Sequence, residues 1–72
     1  MDVLLIVGRI GHLMVRIVRD INETIGIELR EYEQVDRDLY YNENAVFIPM
    51  TKLKDLIDIL ILIDKNYNKR RD

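Results

Sequence analysis

The chain has 72 residues, a formal net charge of −2, 49% apolar and 33% charged side chains, no cysteine and one histidine. A domain of that length buries only about 60% of the surface its unfolded chain exposes, and with no disulfides and no ligand set for a structural zinc around His12, oligomerisation is the remaining staple. A pI near 5.3 argues against nucleic-acid binding held mainly by phosphate neutralisation, which is usual in domains with a pI above about 9.

Val3 to Ile10 is rich in leucine and β-branched residues and predicts a first strand ending near Arg9, with Gly8 and Gly11 marking places where the backbone can bend or bulge. After His12, Leu13, Val15 and Ile17 alternate with Arg16 pointing the other way; Val18 and Arg19 break the phase, which predicts a second strand with a bulge near residue 18. Asp20-Ile21-Asn22-Glu23-Thr24 reads as a short hairpin turn. The third strand, Ile25 to Tyr32, is the cleanest period-2 stretch, with Ile25, Ile27 and Leu29 predicted on the buried face and Glu28, Arg30 and Tyr32 on the other. Glu33 to Asp38 carries four charges and reads as an exposed connection. Leu39 to Tyr41 and Ala45 to Ile48 then form a fourth strand interrupted by Asn42-Glu43-Asn44.

Pro49-Met50-Thr51 opens a helix predicted over residues 50 to 64. Leu53, Leu56, Ile57, Leu60 and Ile63 make one apolar stripe, while Ile59, Ile61 and Leu62 spread apolar surface around the last two turns, more than one sheet face covers. The helix is therefore expected to pair in a homodimer through Leu53, Leu56, Ile57, Leu60, Ile61 and Ile63. Lys65 to Asp72, with four cations in eight residues, reads as a flexible basic tail beyond a single domain of residues 1 to 64. The fold class is α+β, in the order β-β-β-β-α.

No apolar run approaches the ~20 residues that cross a bilayer, and Asp2 rather than lysines precedes the first apolar stretch, which argues against a secretory signal. The expected location is cytoplasmic or nucleoid-associated. With neither cysteine nor serine and only His12 as an imidazole, hydrolase-type nucleophile and base pairs cannot be assembled. Carboxylate pairs such as Glu31 and Glu33, or Asp55 and Asp58, read as solvated faces. No enzyme, cofactor or metal is expected.

Arg9, His12, Arg16, Arg19 and Arg30 fall in or beside the first three strands, and Tyr32, Tyr40 and Tyr41 can supply stacking faces. A basic, aromatic sheet surface is what sequence-tolerant binding of single strands requires. The alternative is that these arginines pair across strands with Glu28, Glu31 and Asp20.

Ile10-Gly11, Val18-Arg19-Asp20 and Ile27-Glu28-Leu29-Arg30-Glu31-Tyr32, with Ile63-Asp64 at the helix end, form a spaced set of local strings. In order and spacing the set resembles the positive cofactor four family of single-stranded-DNA-binding transcriptional coactivators. The resemblance covers about Ile10 to Asp64. It implies a curved four-stranded sheet, a helix pairing across a two-fold axis, and a saddle for unpaired DNA contacted by Arg19 and Arg30. RNA is the alternative ligand, and transcription or replication proteins are the implied partners. His12 and Met14 stand where the family carries cations, Glu33 where it has an aromatic, and Tyr40 to Ala45 replaces its basic, glycine-containing run. The resemblance thus implies binding weaker than the family norm. A protein-interaction module of the same fold, without the DNA surface, is the competing expectation.

Overall fold

In the computed structural model, which describes residues 1 to 68, four antiparallel strands form a meander in the order β1-β2-β3-β4, followed by one helix. The strands are β1 (Asp2–Ile10), β2 (Leu13–Arg19), β3 (Ile25–Val35) and β4 (Asp38–Pro49); a 3-10 turn (Met50–Lys52) leads into α1 (Leu53–Tyr67). The α+β class and the β-β-β-β-α order are as the sequence implies.

The connections follow from local chemistry. Gly11 takes a φ of +58° in the β1–β2 turn, where a residue without Cβ carries no strain. In the next turn the Asp20 carboxylate accepts from the backbone N–H groups of Asn22 and Thr24, both at 2.9 Å, and closes the hairpin that leaves Glu23 with positive φ. The long exposed connection expected over Glu33 to Asp38 does not form: β3 continues to Val35 and only Asp36 and Arg37 make the turn. Charges there face solvent from strand positions, so polarity alone did not mark a loop. The irregularity expected near residue 18 is present, but its extra residue is in the facing strand: Val18 pairs with Val3 and Ile17 with Leu5, so that Leu4 of β1 is unpaired. Further irregularities lie at Val7 of β1 and opposite the Arg30–Tyr32 step, where Asn42, Glu43 and Asn44 bulge out of β4.

The expected burial of the sheet is inverted. Cross-strand partners share a face, so one face carries Met14, Arg16 and Val18 of β2, Gly26, Glu28, Arg30 and Tyr32 of β3, and Tyr41, Ala45 and Phe47 of β4. It contains every buried sheet residue: Met14, Arg16, Val18, Gly26 and Glu28. Ile25, assigned to the core from alternation, is exposed, and Ile27 and Leu29 are only half-buried. Long side chains explain the inversion: Arg16 lies over the Tyr41 ring, and Phe47 lies where a Cβ on Gly26 would sit. On the other face Leu13, Val15, Ile17, Ile27, Leu29 and Ile48 are half-buried.

The helix makes few close backbone approaches to the sheet along its length. Its connection to the sheet runs chiefly through the 3-10 turn against β3. Leu53 and Leu56 are half-buried, whereas Ile57, Leu60, Ile61 and Ile63 are exposed, as are Ile59 and Leu62. Of the stripe expected to pack on the sheet and a two-fold partner together, only Leu53 and Leu56 are shielded within the single chain. The helix also continues to Tyr67 rather than ending at 64, because Lys65 in the last turn suits the helix dipole and the Asn68 backbone N–H closes onto the Asp64 carbonyl. Of the expected flexible tail, Lys65 to Tyr67 is thus helical, and residues 69 to 72 lie outside the described residues. No helix among the described residues is long and apolar enough to cross a membrane.

Candidate nucleic-acid interface

Strand parity sorts the eight candidate ligand-binding residues. Arg9 pairs with Met14, Arg16 with Glu28, Arg30 with Ala45, and Tyr32 with Tyr41, so Arg9, Arg16, Arg30, Tyr32 and Tyr41 share one face. Arg19 and Tyr40 lie on the opposite face, where Tyr40 pairs with Glu33 and Arg19 meets Asp2 at 3.5 Å and Glu23 at 3.8 Å. His12 stands at the β1–β2 turn and lines a hollow with Leu13, Glu31, Tyr32, Glu33 and Asn42.

This sorting separates charge. In register positions the first face carries Arg9, Arg16 and Arg30 against Glu28; the other carries Asp2, Glu31, Glu33 and Asp38 against Arg19. An acidic chain thus has one basic sheet surface, since net charge says nothing of its distribution.

The centre of the basic face is an ion network on Glu28, one of the carboxylates that the pairing alternative named. Glu28 is 2% exposed and Arg16 8%. Glu28 Oε1 accepts from Arg16 Nε at 2.8 Å and from Arg16 Nη2, and from Arg30 Nε at 3.0 Å; Oε2 accepts from Arg30 Nη2 at 2.9 Å. Arg30 Nη1 donates to the Asn42 carbonyl at 2.6 Å, so all three nitrogens of Arg30 are engaged. The hydrogen bond from Arg30, opposed by burial and aided by Arg16, holds the Glu28 carboxyl below its ordinary value of 4.5. The Arg16 guanidinium stands 4.5 Å from the centroid of the Tyr41 ring, within cation–π range. At the margin, Tyr32 Oη donates to the Gly11 carbonyl at 3.1 Å and accepts from Arg9 Nη1 at 3.5 Å.

No protein-family model, curated protein or solved structure matches the chain. The site therefore stands on its geometry. The cross-strand pairing alternative is realised in part: Arg16 meets Glu28 across β2 and β3, Arg30 meets the same carboxylate from within β3, and Arg9 has no carboxylate partner among the described residues. Glu28 was legible in principle, because Glu28 and Arg30 are two apart in one strand and must share a face. What alternation hid was its burial, because the charged side of an alternating strand was assigned to solvent.

Proposed function

We propose that this chain is a homodimeric, single-stranded nucleic-acid-binding protein whose contact surface is the basic face of the sheet. The observation that carries the reading is the segregation of Arg9, Arg16, Arg30, Tyr32 and Tyr41 onto one face of an acidic protein. Tyr41 is 37% exposed, which leaves part of its ring for a base, and base–aromatic stacking is worth about 1–3 kcal/mol per base. The similarity of Ile27 to Tyr32 to the positive cofactor four strings supports the same ligand class, with DNA favoured over RNA and a transcription or replication setting in the cytoplasm or nucleoid. On this reading the protein is a binding module and carries no catalytic group.

Dimerisation rests on area. The chain exposes 6122 Å², where a compact 8.6 kDa monomer exposes about 4,700 Å². The excess, about 1,400 Å², is more than the roughly 800 Å² per partner of a standard stable interface. Only Met14 and Val18 are buried apolar residues among the described ones. A second copy covering the helix stripe supplies the missing core.

One observation favours a second reading. Because Glu28 occupies Arg16 and Arg30, the face offers fewer free cations than its residue types suggest, which suits a dimeric protein-interaction module. Fluorescence anisotropy of a labelled single-stranded oligonucleotide separates the two. Binding that weakens as salt rises supports the nucleic-acid reading; no binding at about 50 mM salt and tens of micromolar protein, where phosphate contacts are strong, overturns it.

A further inference from the structure

We propose that Glu28 is a positioning residue that withdraws Arg16 and Arg30 from phosphate, with Arg16 held against the Tyr41 ring, so that the basic face selects unpaired bases stacked on Tyr41 rather than backbone charge. The inference rests on the nucleic-acid reading above and deepens it.

Three features of the face point to this division of labour. Glu28 sits beneath both arginines, almost without solvent contact, and takes two N–H groups from each. Hydrogen bonds to Glu28 use up guanidinium donors that would otherwise fork onto a phosphate. The buried Arg16 guanidinium already backs the Tyr41 ring at 4.5 Å, so a base meets a ring held in place instead of one it must order. Arg9, at the margin, is held only by a long 3.5 Å contact to Tyr32 and remains the phosphate-facing cation. Arg30 is tied more firmly still, since its third nitrogen is fixed by the Asn42 carbonyl in the β4 bulge.

The consequence is a measurable salt law. For single strands, log K falls against log salt with a slope of about −0.7 for each phosphate neutralised. With Arg9 alone available, the slope is about −0.7 per protomer contacted, and removing the Glu28 charge makes it steeper by about 0.7 to 1.4. Backbone without bases binds poorly: an oligonucleotide of abasic residues binds the wild-type protein about tenfold or more weakly than the thymidine oligonucleotide of equal length.

The test measures anisotropy across a salt series with labelled oligothymidine and its abasic counterpart, on the full chain, for wild type, Glu28→Gln and Arg9→Ala. A steeper slope in Glu28→Gln, loss of most of the wild-type slope in Arg9→Ala, and discrimination against the abasic strand support the proposal. Equal slopes in wild type and Glu28→Gln overturn it, as does equal affinity for the two strands. Should Glu28→Gln fail to fold by circular dichroism, Arg9→Ala decides: retention of more than half the wild-type slope means that Arg16 and Arg30 neutralise phosphates, and the proposal falls. Binding by Glu28→Gln but not by wild type upholds the withdrawal of the arginines and refutes the proposed function; binding by neither protein refutes both.

Discussion

Truncating Leu60 to alanine separates a chain that folds alone from one that needs its copy. Leu60 stands at the centre of the α1 apolar stripe and is 52% exposed in the single chain. The truncation removes three methylene equivalents at about 0.8 kcal/mol each, and the half exposed in the lone chain accounts for about 1 kcal/mol of association. A two-fold interface carries the change twice, so the dimer weakens by about 2 kcal/mol, a roughly 30-fold rise in Kd. The fold of an isolated chain is nearly indifferent to the change, because alanine is the better helix former at an exposed position. Sedimentation equilibrium at several concentrations, with circular dichroism at each, reads both quantities. A wild-type protein that sediments as a monomer at micromolar concentration refutes the reasoning, as does a Leu60→Ala variant with an unchanged dimer constant.

Two further changes test the sheet. A Cβ built on Gly26 stands 2.5 Å from the Ile48 carbonyl oxygen and 2.6 Å from the Phe47 ring; Gly26→Ala is therefore expected to cost about 1–3 kcal/mol by overpacking, read from the urea midpoint, and an unchanged midpoint contradicts the packing described. Because the folded-state pKa of Glu28 is lowered by Arg30 and Arg16, its contribution to stability is fully present above its ordinary value of 4.5 and is lost as pH falls through the lowered value. Wild-type melting temperature should fall with acid in that window, and Glu28→Gln, less stable at neutral pH, should show a shallower fall; parallel curves would contradict the role of the network.

The strand order, the Asp20 hairpin, the Asn42 to Asn44 irregularity and the helix start were all readable, because each depends on local chemistry: period-2 runs, an aspartate accepting from the backbone, a proline before a helix. Which sheet face is shielded was not. Alternation assigns side chains to faces, but shielding depends on what lies over them, and here Arg16 over Tyr41 and Phe47 against Gly26 shield one face while the apolar residues of the other are only half-buried. Parity also limits the candidate site. Arg16 and Arg19 are three apart in one strand, and Tyr40 and Tyr41 are adjacent, so neither pair can share a face. Grouping them by residue type joined positions that the backbone separates. The helix end escaped the reading because Lys65, taken as the start of a solvated tail, is also what a helix C-terminus favours.

The central claim is that one face of the sheet meets the bases of a single strand, and amide chemical-shift mapping tests it most directly. On titration with oligothymidine, the account predicts shifts concentrated at Arg9, Arg16, Arg30, Tyr32 and Tyr41, with Arg19, Tyr40 and Glu33 little changed. Shifts confined to the Arg19 and Tyr40 face, or none at saturating oligonucleotide, would contradict it.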